Sequence, residues 1–156
     1  MNNGLVHYYF GSVDNVLLAV LERFTERLTE RQRQMYAADV PFVQKWRTAI
    51  GFMDEDLAAG YPKIWAELQA LAMNHPELQR PFRRVYAEWR AVLTAAFTSA
   101  AREYDVDDTL VPAMVTLVMT FTIGMFNERL VGIDAGHAEL LAWFDETISS
   151  LEEGWR

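Results

Sequence analysis

One segment of this chain, residues 110–126, is apolar on nearly every side of the helix that it predicts. Three threonines are its only polar side chains: Thr116, Thr120 and Thr122. A helix with apolar residues all round needs cover on several sides. The core of a 156-residue chain covers one face, so we expect a second apolar surface to cover the other.

Helical periodicity runs through the rest of the chain, without persistent strand-like alternation or an internal repeat. Helices are predicted over residues 12–38, 42–60, 62–74, 77–104 and 110–126, with a final helix from about residue 135. The turns that separate them contain glycine, proline or aspartate. The expected inward face of the first helix has five apolar residues: Val16, Val20, Phe24, Leu28 and Met35. The predicted fold class is therefore all-α.

Residues 4–21 form an ordered motif of aromatic residues, a Gly-Ser turn and an acidic, then apolar, helix start. Ser12 is a good N-cap because its hydroxyl can accept from a free backbone N–H. Asp14 places a negative charge in the first turn, where the helix dipole favours it. Asn15 is shorter than the Glu or Gln of a complete capping box.

This motif resembles the end of the recognition helix, and the start of the next helix, in the tetracycline-repressor (TetR) family of transcriptional regulators. The resemblance divides the chain into residues 1–11, a remnant of a DNA-recognition helix, and residues 12–156, a ligand-binding and dimerisation domain. It implies phosphate contacts from His7, Tyr8 and Tyr9, whereas the lysine that usually opens the following helix is replaced by Val13. The earlier helices of a helix-turn-helix are missing before Met1. We therefore expect operator DNA to be bound only by a longer form, and a truncated gene product is favoured over a natural regulator without DNA binding.

The resemblance also implies a homodimer whose four-helix interface is formed by the last two helices of each copy. Obligate interfaces commonly bury more than ~2,000 Å². A monomer with both helices in its interior is the alternative, although it leaves little outer face for solvent. The predicted interface residues are Leu110, Met114, Val118, Met125, Leu140, Leu141, Phe144, Ile148 and Leu151.

Aromatic and methionine side chains on helices that face one another predict a pocket for a small apolar or aromatic effector. The same spacing is typical of an ordinary core, and the expectation that a pocket exists comes from the family resemblance. The candidate lining residues are Trp46, Met53, Trp65, Tyr86, Trp89, Phe97, Thr116, Met119, Thr120 and Phe121. Further candidate polar groups are Thr122, Asn127, Glu67 and Gln69.

Composition argues against several other classes. The 14 basic and 22 acidic residues give a net charge of −8, which repels nucleic acid. Without cysteine, disulfide and thiolate chemistry are excluded. The three histidines lie on separate segments, and no nucleophile or phosphate-loop motif is found. We expect no catalysis, no metal site and no cofactor. Residues 109–127 are marginal for a membrane span of about 20 apolar residues, so we expect a cytoplasmic protein without a membrane partner.

These patterns favour a TetR-type regulator, most simply a repressor, that senses an apolar effector and dimerises. A helical interaction protein that pairs with intact relatives without binding DNA is an alternative. A small-molecule carrier or enzyme that uses the same cavity is a third.

Overall fold

Six α-helices and one short 3₁₀ turn make up residues 13–154, the part of the chain that the computed structural model describes. These residues contain no strand, which confirms the all-α prediction. The helices are α1 (Val13–Tyr36), α2 (Phe42–Ala58), α3 (Tyr61–Asn74), α4 (Pro76–Glu103), α5 (Val111–Leu130) and α6 (His137–Gly154), and the 3₁₀ turn Asp108–Leu110 precedes α5. His7, Tyr8 and Tyr9, the predicted phosphate contacts, lie outside the described residues. The side chain of Leu151 also lies outside them.

Local sequence explains the breaks on either side of α3. Gly60 adopts a left-handed conformation (φ 82°) that glycine tolerates at no steric cost, and Pro62 follows in the first turn of α3. His75 is extended (φ −125°, ψ 97°), as expected for a residue that precedes proline, and α4 begins at Pro76. These two breaks set α3 between α2 and α4, where it contacts both.

The inward face of α1 differs from the predicted one. Val20 is exposed, and the buried face is rotated to a set that includes polar residues: Leu21, Thr25, Leu28, Thr29 and Gln32. Threonine is tolerated there because its hydroxyl can bond to the helix backbone. The Thr29 hydroxyl donates to the Thr25 carbonyl oxygen at 2.8 Å. A prediction from apolar residues alone therefore misplaced the face of α1 that contacts α2, α3 and α4.

Ion pairs connect helices that are distant in sequence. They are Glu22–Arg84 (α1 to α4), Arg31–Asp56 (α1 to α2), Asp54–Arg129 (α2 to α5) and Arg47–Asp145 (α2 to α6). Exposed pairs of this kind contribute only about 0–1 kcal/mol each. The Arg31–Asp56 pair is different because its carboxylate is buried.

Helix α5 has one face inside the bundle and one face outside it. Val115 and Met119 are buried where α5 packs against α3 and α4. On the outward side, Leu117 is 53% exposed. By length and composition, Asp108–Leu130 could cross a bilayer, with a mean hydropathy of 1.8. One such helix is weak evidence for a membrane protein, since the core helices of soluble proteins pass the same test.

The structure places the predicted interface residues on two different sides of the subunit. Leu110 and Met114 are exposed, and Leu140 and Leu141 are half-buried. Four others face the interior of the subunit: Val118, Met125, Phe144 and Ile148. The prediction did not separate them because α5 and α6 are apolar on several sides, and only packing shows which side is outermost. Trp143, which was not predicted, is 57% exposed. We call Leu110, Met114, Leu117 and Trp143 the outer apolar strip.

Candidate ligand-binding cavity

An apolar cavity of about 90 Å³ lies among α1, α2, α3, α4 and α5. One water needs roughly 10–15 Å³ of such space, so the cavity is large enough for several non-hydrogen atoms of a ligand. Helices α1 and α2 contribute Gln32, Tyr36, Trp46, Ala49, Ile50, Met53 and Asp56. Helices α3 and α4 contribute Tyr61, Pro62, Trp65, Trp89 and Leu93. Helix α5 contributes Val118, Met119, Phe121, Thr122, Ile123, Phe126 and Asn127.

Tyr61 and its aromatic neighbours form one wall. The Tyr61 ring lies 5.9 Å from the ring of Trp65 and 6.5 Å from that of Trp89, centroid to centroid. The Trp89 indole N–H donates to Tyr61 Oη at 2.8 Å, which fixes the two rings relative to each other. Burial raises the pKa of Tyr61, so its hydroxyl stays protonated. This wall is therefore rigid and neutral.

Trp46 forms the opposite wall together with residues of α5 and α6. Its ring centroid lies 6.2 Å from that of Phe121 and 5.7 Å from that of Phe144. Phe121 and Phe144 are themselves 5.1 Å apart. Phe144 does not line the cavity, and it supports the wall from behind. Helix α6 thus positions a cavity residue although it contributes none.

Three polar side chains interrupt the apolar lining at buried positions. Asp56 is 6% exposed, and its Oδ1 accepts from Arg31 Nη2 at 2.6 Å. Burial raises the pKa of Asp56, and the hydrogen bond from Arg31 opposes this effect without cancelling it. Gln32 and Trp65 are each 5% exposed, and neither Gln32 Oε1 nor Trp65 Nε1 has a hydrogen-bond partner among the described residues. Two residues that line the cavity therefore each carry a buried polar atom, one acceptor and one donor, without a partner among the described residues.

The structure brings six of the ten predicted pocket residues together around this cavity: Trp46, Met53, Trp65, Trp89, Met119 and Phe121. Thr122 and Asn127, two of the further polar candidates, also line it. All of these residues except Asn127 are buried or half-buried, and Asn127 lies at the exposed edge of the cavity. Whether they bind a ligand stays a prediction.

Four predicted pocket residues do not line the cavity. Thr116 and Thr120 lie on the exposed side of α5, where the Thr116 hydroxyl accepts from Arg90 Nη2 at 2.8 Å. Tyr86 packs against Trp65 with a centroid distance of 5.9 Å, outside the cavity wall. Phe97 is eight residues beyond Trp89, or about 12 Å along α4. It lines a second, smaller cavity of about 70 Å³ beside Phe42. Glu67 and Gln69 also lie outside the first cavity.

The prediction missed several lining residues, of which Gln32, Tyr36, Asp56 and Tyr61 are the most informative. Gln32 and Tyr36 are four residues apart and therefore share a face of α1. The sequence shows that the two residues share a face, but a glutamine among the charged residues of this helix did not indicate that the face is buried. Asp56 stands in the acidic run Asp54–Asp56, which looks like a solvated face until Arg31 is placed beside it.

The cavity is suited to binding rather than to bond-breaking chemistry. Among the described residues, no group of three or more His, Asp or Glu side chains is placed to hold a metal ion. The lining offers large apolar faces with a few hydrogen-bonding groups, which is the usual composition of a small-molecule site. Comparison of the chain with models of protein families, with curated proteins and with solved structures gave no match.

Proposed function

We propose that this chain is the effector-binding and dimerisation core of a TetR-type transcriptional regulator. The observation that carries the proposal is the aromatic cavity, because two of its lining residues, Gln32 and Tyr36, belong to α1. In the family that residues 4–21 resemble, the corresponding helix directly follows the DNA-recognition helix. A ligand in the cavity would thus contact the element that connects sensing to DNA binding.

Coupling between the two sites requires a ligand that prefers one arrangement of α1. Gln32 and Tyr36 are the α1 residues that line the cavity, and both lie in its last two turns. A ligand that contacts them changes the position of α1 relative to α3 and α5. In a two-fold dimer, this displacement would change the spacing of the two DNA-recognition helices. The coupling free energy is the difference between the ligand's binding free energies for the arrangement that binds DNA and for the one that does not.

The proposed dimer forms through the outer apolar strip, with a second copy of the chain as the occupant. Four large apolar side chains are exposed on the 3₁₀ turn, α5 and α6. On a subunit surface, apolar side chains that are contiguous mark a site of interaction with another protein. Trp143 is connected to the interior of the subunit through Phe144, because its ring lies 5.1 Å from that of Phe144, and the Phe144 ring packs against that of Phe121. A two-fold axis beside α5 would bury it against itself. Burial in a dimer of a cytoplasmic protein explains the apolar outer side of α5 better than insertion in a membrane, because this side also carries the exposed polar residues Thr116 and Thr120.

A second candidate function is an interaction protein that pairs with related regulators without binding DNA. The net charge of −8 favours it, because acidic surfaces are repelled by phosphate backbones. Both functions use the outer apolar strip, so dimerisation alone does not separate them.

Deletion of the gene that encodes the chain, followed by transcript sequencing, tests the proposal. We expect a small, defined set of transcripts to change, and complementation with the wild-type gene to restore it. A transcript profile that is the same with and without the gene would count against a regulator of either kind. Chromatin immunoprecipitation of a tagged protein then separates the candidates, since only a DNA-binding regulator enriches the promoters of the changed transcripts.

A further inference from the structure

The described residues that line the cavity carry charge of one sign only, which is negative. Asp56 is the sole charged residue among the described residues that line it, and no lysine, arginine or histidine does so. Arg31 does not neutralise the site, because it is shared between Asp56 (2.6 Å) and Glu55 (3.1 Å). Two carboxylates and one guanidinium leave a net negative charge at the junction of α1 and α2. An anionic ligand would be repelled there and would find no basic partner.

The buried carboxylate is also incompletely stabilised by the protein itself. The pKa of Asp56 stays above its ordinary value although Arg31 donates a short hydrogen bond to it. Removal from water therefore costs the ionised carboxylate more than its single partner returns. A second positive group near Asp56 would reduce this cost.

Aromatic rings provide the second half of a cation site. Seven of the lining residues are aromatic, among them Trp46, Trp65 and Trp89. The face of an aromatic ring attracts a cation, most strongly for tryptophan, and groups of such rings are the usual recognition device for alkylated ammonium groups. The same rings bury the apolar body of a ligand, so one cavity serves both parts of an amphipathic cation.

Gln32 adds a hydrogen-bond acceptor, the kind of group that an ammonium N–H requires. Its Oε1 is buried in a cavity-lining residue and has no partner in the described part of the chain. A buried acceptor without a partner destabilises the protein, and a ligand N–H that bonded to it would reduce this cost. Helix α1 thus holds the acceptor, and α2 holds the carboxylate.

We infer that the cavity binds an organic cation, a protonated amine on an aromatic or apolar body, with the ammonium group toward Asp56 and Gln32. The inference rests on the proposed function in that it names the effector class of the same cavity. It also assigns a direction to the coupling, because an ammonium held between Gln32 and Asp56 would draw α1 and α2 together. Arg31–Asp56 already joins these helices at one point.

Isothermal titration calorimetry with three probes that share one body tests this inference. The probes are phenylbutylamine, phenylbutanol and phenylbutanoate, which are cationic, neutral and anionic near neutral pH. We expect the amine to bind at least about tenfold more tightly than the alcohol, and the carboxylate to bind most weakly. This comparison uses the wild-type chain and does not depend on a variant that folds.

Two matched variants locate the charge preference. Asp56→Asn should lower the affinity for the amine by about tenfold and leave that for the alcohol within about twofold. Asp145→Asn is the control, because it removes a carboxylate that is also paired with an arginine but lies on α6 outside the cavity. It should leave both affinities unchanged.

Three results would contradict the inference. Equal affinity for amine and alcohol, or an Asp56→Asn variant that binds the amine as the wild type does, overturns the cation class. Both leave a neutral effector site and the proposed function intact. If none of the three probes binds, the inference also falls, whereas the proposed function is decided separately by the gene-deletion experiment.

Discussion

Asp56 combines an ionisable side chain with a buried position on the cavity wall. Its carboxylate is buried beside Arg31 at the edge of an apolar cavity, an arrangement that burial makes costly. Arg31 is well held, since its guanidinium carbon also lies 4.0 Å from the centre of the Phe52 ring. A structural role alone would be served by an apolar pair of the same volume. If the proposed amine effector binds in the cavity, its ammonium group would lower the cost of burying this carboxylate.

The raised pKa of Asp56 predicts how its contribution to stability changes with pH. The folded chain keeps the proton at pH values where the unfolded chain has released it. The free energy of unfolding should therefore fall as pH rises from the ordinary value of 3.8 through the raised pKa. Asp56→Asn should remove this slope, as measured by urea unfolding at a series of pH values.

Asp145 provides a control whose pKa is shifted in the opposite direction. Its hydrogen bond with Arg47 lowers its pKa, so its small, solvent-screened contribution is lost as pH falls through the lowered value. Asp145→Asn should therefore leave the Asp56 slope in place. An Asp56→Asn variant with the wild-type pH profile would show that the carboxylate is not destabilised by burial.

At the scale of the element, α5 serves two surfaces at once. Met119, Phe121 and Thr122 line the cavity from one side, and Leu117 projects from the other. A change at the cavity wall is thus within one turn of the outer apolar strip. This arrangement allows occupancy of the cavity to affect the proposed dimer without any further element.

Leu117→Glu should separate the two surfaces. In a two-fold interface, the new carboxylate of one subunit lies near the same carboxylate of the partner, and the two repel each other. We therefore expect the dissociation constant of the dimer to rise at least about thirtyfold. Probe binding in the cavity should persist. Sedimentation equilibrium measures the dimer. Met73→Glu is the control, since Met73 is exposed on α3 and is not part of the strip. Equal dissociation constants for wild type and Leu117→Glu would place the dimer elsewhere or exclude it.

At the scale of the whole molecule, charge decides what the chain can approach. A net charge of −8 attracts organic cations over a distance of about a Debye length and repels polyanions. The global charge would therefore favour the same class of ligand that we propose for the cavity. Any DNA contact must come from a local basic or polar surface that works against this field.

We expect the purified chain not to bind duplex DNA at physiological salt. Nonspecific binding depends on the neutralisation of phosphates by basic side chains. Fluorescence anisotropy of a labelled duplex at about 0.15 M salt should show no saturable change, with a lysine-rich peptide as the positive control. Tight, sequence-dependent binding by the chain alone would contradict this expectation and would favour a regulator that recognises DNA without further segments.

Much of the architecture was readable from residues 13–154 themselves, because helix propensity and helix breaks are local properties. Gly60, Pro62 and Pro76 stand where helices end and begin, and the predicted boundaries lie within a few residues of the observed ones. Large aromatic residues of the predicted pocket, such as Trp46 and Trp89, were also recognisable as inward-facing. Their spacing alone specified a helix face.

Tertiary structure decided which inward face meets a cavity and which meets solid core. Phe97 and Trp89 belong to one helix, yet they line different cavities. Thr116 and Thr122 belong to another, yet one is exposed on the surface and the other lines the cavity. Asp56 became a candidate ligand contact only when α1 placed Arg31 beside it and Gln32 on the same cavity. The sequence by itself determined the helices, since each depends on neighbours within four residues. The packing of distant helices determined the cavity, since its walls join residues that local sequence does not relate.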